Sequence, residues 1–324
     1  MAAMKQLDSP VNPGDQLDHY RIDSVVARSD TSTVFRAADL RDASEVAIKV
    51  PNPDLKSDPG FLSRFSQEVG IGERLNHPNI INVFSDPDRT EIYMVMEWFP
   101  GRTLREILKE EQKLAPERAA HIAVQICDAL EYIHSRGVMH RDLRPDNILI
   151  GVGDRIKLID FGGAVTTSAR RFTFTKLSQI LGNSEYGSPE ELKGKRGDAR
   201  SDIYSLGVML YEMLTGKMPF QGSDPYERIK EDPIPPREIN PALSPQLQEV
   251  VYRALEREPQ NRYASAREFA HDLEHLDQVG IIDRAELREW KKRHGRTLRK
   301  IVLYLLIALV PVVILGLLLF MARR

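Results

Sequence analysis

Residues 301–322 read IVLYLLIALVPVVILGLLLFMA, 22 positions without a charge. A helix of that length reaches about 33 Å, enough to cross a hydrocarbon layer of about 30 Å. A buried core helix is the competing reading. It fails because core helices keep a polar stripe and seldom run beyond about 14 apolar residues. The segment is therefore expected to form one C-terminal transmembrane helix, in which Pro311 is tolerated and introduces a kink. Eight Lys and Arg lie in residues 279–300, and only Arg323 and Arg324 follow the run. Positive flanks stay cytoplasmic, so residues 1–300 are expected to face the cytoplasm. The basic juxtamembrane segment 279–300 is expected to meet anionic lipid headgroups; a merely solvated helical face is the plainer alternative.

Charge divides the chain in the same place. Residues 279–324 total +7 and the whole chain −2, so the first 278 residues total −9. No apolar stretch of signal-peptide type occurs in the first 20 residues, so no cleaved leader is expected. Little chain follows residue 322, so no outer sensor domain is expected. The 324 residues suit about two domains. Hydrophobic residues at 42% and charged residues at 28% suit a folded body. Cys127 is the single cysteine, which excludes a disulfide framework and a Cys-based zinc site. The near-zero net charge gives no ground for a nucleic-acid partner.

The body changes character along its length. Residues 1–18 read as a loose polar lead. From 19 to 98 short runs of β type dominate: YRIDSVVA, STVFRAAD, SEVAIKV, INVFSD and EIYMVMEW. One helix is expected among them, over 60–75. After Pro100-Gly101 helices take over. Ile122, Ile126, Leu130 and Ile133 recur at helical spacing, and residues 201–216 are apolar nearly all round, which predicts a buried helix. Two amphipathic helices follow, at 245–257 and 265–276. The coarse architecture is α+β, a small β-rich lobe at 19–98 followed by a larger helical lobe at 99–278.

Three motifs carry chemistry. In Val46-Ala47-Ile48-Lys49, strand alternation puts Ala47 and Lys49 on one face. His140-Arg141-Asp142-Leu143-Arg144-Pro145-Asp146-Asn147 follows a helix expected to end at Gly137. Thirteen residues after Asn147 comes Asp160-Phe161-Gly162. Each piece alone is weak; their order and spacing together are specific.

On these motifs residues 19–276 resemble the protein-kinase family, most closely its membrane-anchored bacterial Ser/Thr members of Hanks type. HPNI at 77–80, YGSPEEL and EREPQNRYASAREF add to the likeness. The resemblance implies a two-lobed fold with ATP and Mg²⁺ between the lobes and protein substrates. It implies that Lys49 holds the phosphates, that Glu68 aims Lys49, and that Asn147 and Asp160 ligate Mg²⁺. Asp142 would orient the acceptor hydroxyl and take its proton, with Arg144 as a nearby cation. Met96 would be the gatekeeper, and Glu97 to Phe99 the hinge that reads adenine. Val26 and Ala47 would border the nucleotide. Glu190 would pair with Arg262, and Asp202 would brace the catalytic loop.

One departure stands out. The phosphate-covering loop of the family is Gly-rich, yet here the aligned stretch is Ala27-Arg28-Ser29-Asp30-Thr31-Ser32-Thr33-Val34. The backbone N–H groups remain, and Ser29 and Ser32 add hydroxyls that could donate to phosphate. The turn is expected to be stiffer, and Asp30 adds an anion, so weaker ATP binding or slower transfer is predicted. Arg144 replaces the Lys of Ser/Thr members, and Gly182-Asn183 replaces Gly-Thr, which leaves acceptor type less secure. Arg141 precedes Asp142, and the resemblance then implies that a phosphate on Thr173 or Thr175 docks on it; a plain Thr-rich loop is the alternative. The rival to an active kinase is a pseudokinase, a membrane-anchored binding module without transfer. A dimer through the span is a weaker reading, because Gly316 has no second Gly at GxxxG spacing.

Overall fold

The computed structural model describes residues 11–166, 185–220 and 227–284. The chain divides into two compact units, 1–279 and 280–324, and only 280–284 of the second are described. Six antiparallel strands form the first layer: β1 (Gln16–Leu17), β2 (Tyr20–Arg28), β3 (Ser32–Asp39), β4 (Glu45–Pro51), β5 (Val83–Phe84) and β6 (Met94–Glu97). Their order is β1-β2-β3-β4-β6-β5. The period of two sends Ile22, Phe35, Ala37, Val46, Ile48 and Val50 into one core with Tyr93 and Val95. Ala47 and Lys49 therefore share the other face of β4, opposite Met96 and Met94 of β6. Helix α1 (Pro59–Gly72) lays Phe61, Phe65 and Val69 against Met94. It begins where Asp58 accepts hydrogen bonds from the backbone N–H groups of Gly60 and Phe61.

The second lobe is helical. It contains α2 (Leu104–Glu111), α3 (Pro116–Ser135), α4 (Pro189–Leu192), α5 (Ala199–Thr215), α6 (Pro245–Ala254) and α7 (Ala266–Glu274), with short turns at Glu227–Lys230 and Pro236–Ile239. From Ser201 to Thr215 every α5 residue except Glu212 is buried, as its continuous apolar pattern predicts. Gly216 ends α5 at φ +69°, and a Cβ there would stand 2.6 Å from the Gln112 carbonyl oxygen. Short strands β7 (Arg102–Thr103), β8 (Val138–Met139), β9 (Ile148–Ile150), β10 (Ile156–Leu158) and β11 (Val165–Thr166) line the floor between the lobes.

Two connections join the lobes. In front, residues 98–101 pass from β6 to β7, and Gly101 lies so close to β9 that a Cβ would meet the Ile150 carbonyl oxygen at 2.6 Å. At the back, the loop after α1 belongs to the helical lobe. The Asn76 N–H donates to the Tyr132 hydroxyl at 2.9 Å, and Asn79 Nδ2 to Gln125 Oε1 at 3.2 Å. Leu158 N donates to the Asn79 carbonyl at 2.8 Å and Ile81 N to the Leu158 carbonyl at 3.0 Å.

Several expectations are corrected. The strand expected over 81–86 shrinks to Val83–Phe84, because Asn82 turns aside to bond Glu97. The helix expected over 60–75 ends at Gly72. Within the loose lead expected at 1–18, Gln16–Leu17 already pair with β2 and bury Leu17. Among the described residues no helix is long and apolar enough to cross a membrane. The run at 301–322 and residues 285–300 of the basic segment lie outside the described residues, as do Thr173 and Thr175.

Candidate active site

Lys49 leaves the cleft face of β4 and meets α1. Its Nζ lies 2.6 Å from Glu68 Oε1 and 3.4 Å from Asp160 Oδ2. One ammonium thus serves two carboxylates, Glu68 buried and Asp160 partly open to solvent. Burial works against the Lys49 charge, but Glu68 and Asp160 outweigh it and hold its pKa above the ordinary lysine value. The two acids part ways. Burial, with the Asp160 charge beside it, pushes Glu68 up to about 7. Burial also opposes ionisation of Asp160, but Lys49 and the Gly162 N–H, 2.9 Å from its Oδ1, hold it below the usual range. Gln67 Nε2 donates to the Ala164 carbonyl at 3.1 Å, tying α1 to the chain beyond Asp160.

Asp142 and Asn147 lie on the loop between β8 and β9. Asn147 Nδ2 donates to the Asp142 carbonyl at 2.7 Å and to Asp142 Oδ2 at 3.1 Å. Both amide hydrogens are thereby directed at Asp142, which leaves the Asn147 side-chain oxygen as an acceptor. Burial, with the Asp160 charge added, raises the Asp142 pKa, against Arg144 and Asn147. Fully buried Asp202 of α5 holds the start of this loop. It accepts from His140 N at 2.9 Å and Arg141 N at 2.8 Å, and pairs with His134 Nε2 at 2.7 Å. Arg141 and Asp160 both adopt positive φ, +62° and +66°. Non-glycine residues held in that region mark backbone that the surroundings over-determine.

The donor set suits a hard cation. Asp160 offers an ionised carboxylate and Asn147 an oriented amide oxygen. Among the described residues no group of three or more His, Cys, Asp and Glu could hold a metal ion. Two oxygen donors fit Mg²⁺, which keeps waters and shares phosphate oxygens. The buried Lys49 ammonium at the same place fits a polyphosphate.

The Gly-less turn between β2 and β3 behaves differently from expectation. No residue from 27 to 34 has positive φ, so the turn does not need glycine geometry. Its hydroxyls are spent internally. Ser29 Oγ accepts from Ser32 N at 3.1 Å and Thr31 N at 3.3 Å, and donates to the Ser32 carbonyl at 3.0 Å. Ser32 is buried. Asn52, just past the end of β4, fastens the turn, its N–H donating to the Thr31 carbonyl and its Nδ2 to the Ser29 carbonyl, both at 3.0 Å. Sequence leaves the Ser29 and Ser32 hydroxyls and the backbone N–H groups for phosphate; this is corrected for the Ser29 hydroxyl and the N–H groups of Thr31 and Ser32, which satisfy one another.

The remaining residues are placed as follows. Met96 is half-buried against the cluster of Phe61, Phe65, Val69 and Met94. Glu97 ends β6 and forms an ion pair with Lys157 of β10. Val26 is exposed, and Phe99 lies beside Gly101 and Gly151. Arg262 and Glu190 form a buried two-point pair at 2.7 and 2.8 Å, with Ser201 Oγ on the same carboxylate at 2.7 Å. Arg144 directs its Nε at Asp146 Oδ2, 3.0 Å away. Asp146 and its second partner, Arg105 of α2, drew no notice in sequence; only the position of Asp146 beside Asn147 pointed to them.

A strand sheet over a helical base, with an ion pair in the roof facing a carboxylate loop in the floor, is the two-lobed kinase fold. The crystal structure of the Mycobacterium tuberculosis PknI kinase domain matches it with a TM-score of 0.65 at 25% identity, over 82% of this chain and 100% of that one. Residues 20–273 match the protein kinase domain, and the chain belongs to that family. Among its relatives are serine/threonine-protein kinase PknB of Mycolicibacterium smegmatis, 39% identical over 79% of this chain, and PknB of Mycobacterium tuberculosis, 40% identical over 81%. A probable serine/threonine-protein kinase of Streptomyces coelicolor is 38% identical over 79%. The chain covers 42%, 43% and 39% of these three relatives, less than half of each.

Proposed function

We propose that the chain is a Mg·ATP-dependent protein kinase that transfers the γ-phosphate to Ser or Thr hydroxyls. The carrying observation is the assembly across the cleft: Lys49 with Glu68 and Asp160 above, Asp142 locked to Asn147 below. ATP with Mg²⁺ supplies the transferable phosphoryl group. Lys49 binds phosphate oxygens, kept charged by two carboxylates. Asp160 and the Asn147 side-chain oxygen are the metal's protein ligands. Asp142, its carboxylate steadied by Asn147, orients the acceptor hydroxyl and receives its proton. The peptide backbone at Glu97 and Phe99 reads the adenine, and Arg144 adds positive charge near the transferred group.

The pseudokinase reading rests on the missing glycines, and that support weakens once the turn closes without positive φ. The Ser/Thr assignment is supported by the names of the relatives. The anchor reading, a kinase domain held at the cytoplasmic membrane face, is supported by the charge-free run at 301–322 and its basic flank. Autophosphorylation at Thr173 or Thr175, docking on Arg141, belongs to the same reading.

The test is phosphate transfer from labelled Mg·ATP by the full chain in detergent, onto itself and a basic protein, beside an Asp142→Asn control. Label lost in the control and recovered as phosphoserine or phosphothreonine is the expected result. Equal label in both proteins would remove Asp142 from the chemistry. No label in either would remove the kinase reading.

A further inference from the structure

The catalytic loop carries a second carboxylate, Asp146, that the transfer reading does not use. Glu212, the one α5 residue past Ser201 that is not buried, stands near it. Arg105 of α2 lies between them. Its Nη1 is 2.7 Å from Glu212 Oε1 and its Nε 3.4 Å from Asp146 Oδ2. Its Nη2 donates to the Tyr186 hydroxyl, which in turn donates to Glu212 Oε2. The side chains are 19% exposed for Arg105, 13% for Glu212 and 40% for Asp146, so this recess is closed at Glu212 and open to solvent at Asp146. Two carboxylates and a tyrosine thus form a site shaped for a guanidinium, and the chain fills it with its own.

We propose that Arg105 plugs a recess that would otherwise receive an Arg or Lys of the protein substrate, and so makes the enzyme indifferent to basic residues near the acceptor. The proposal rests on the kinase reading. Asp146 lies four positions after Asp142, so their Cα atoms lie within about 14 Å. An extended peptide advances about 3.3 Å per residue, so side chains two to four positions from an acceptor at Asp142 reach Asp146. Charge favours the exchange. Glu212 is mostly buried, and a buried carboxylate stripped of its cation is costly, so a substrate cation gains what Arg105 now supplies. Arg144 stays on Asp146 in either case and leaves Glu212 unmatched.

The test uses the full chain in detergent with peptides that carry one Ser acceptor and either Ala or Arg at each of the four positions on both sides. The wild type should favour no Arg position by more than about threefold. Arg105→Met, which keeps the aliphatic stem, should prefer Arg at one position by about tenfold, as a lower KM at similar kcat. Adding Glu212→Gln to Arg105→Met should erase that gain. A role confined to tying α2 to α5 would lower activity on all peptides alike and leave their ratio unchanged. The proposal is overturned if cooperatively folded Arg105→Met keeps the wild-type ratios. It is also overturned, without any variant, if the wild type already selects Arg at these positions tenfold. Failure of the wild type to phosphorylate any peptide would remove the kinase reading and this inference with it. A wild type that transfers phosphate while the ratios stay flat in Arg105→Met removes the inference alone.

Discussion

Ser29 satisfies its own turn. Its oxygen takes the place of an outside acceptor for the N–H groups of Thr31 and Ser32. A phosphate oxygen seeking those donors must first displace it. Ser29→Ala is therefore expected to tighten Mg·ATP binding about threefold to tenfold, the worth of one competing hydrogen bond, as read by calorimetric titration. Unchanged or weaker binding in a cooperatively folded variant would mean that the hydroxyl does not compete. Lys49, Glu68, Asp142, Asn147 and Asp160 could be picked out in sequence, because the resemblance to the kinase family lies in motifs of fixed order and spacing. Sequence does not show where the Ser29 hydroxyl points, since that depends on a turn closed by Asn52, 23 residues on. Arg105 is hidden for a like reason: its partners Asp146, Tyr186 and Glu212 lie 41, 81 and 107 residues away.

At the scale of elements, one buried pair holds α4 to the end of the helical lobe. The Arg262 side chain has no exposed surface, and it bonds Glu190 twice and the carbonyls of Arg200, Glu256 and Arg257. Arg262→Met leaves Glu190 charged in a closed space and is expected to cost about 3–5 kcal/mol by urea unfolding. Glu190→Gln with Arg262→Met should recover much of that. The pH dependence has a definite sign. Burial opposes ionisation of Glu190, but the bonds and charge of Arg262 win and hold its pKa below the free value of 4.5. Its contribution is complete above pH 4.5 and fades as pH falls through the lowered value. The double variant should thus lose less stability than the wild type between pH 5 and 3, and parallel curves would contradict this. Long elements were legible: α5 because it is apolar nearly all round, β2 to β4 by alternation. Strands β7 to β11 hold two or three residues each, too few to show a period. Helix α2 announced itself only through its Thr103–Glu106 capping box, a local signal easily passed over.

For the whole molecule, the charge-free run predicts partition. The full chain should sediment with membranes, resist salt and dissolve in detergent, whereas deletion of 301–324 should leave it in the supernatant. Recovery of the full chain in the salt wash would contradict the span. The rear seam has a separate consequence for motion. Residues 76–81 are fastened to α3 and β10, while the front strap passes Gly101 against β9. Once Lys49 and Gln67 release Asp160 and Ala164, the sheet is expected to swing as a book cover does, about a spine through those two attachments. Points near the spine, such as Asn82 and Glu97, should then travel least, and the turn at Ser29, on the free edge of the cover, furthest. Under the proposed function adenine would be held near the spine and phosphate at the edge, so spent nucleotide is expected to loosen first at its phosphate end.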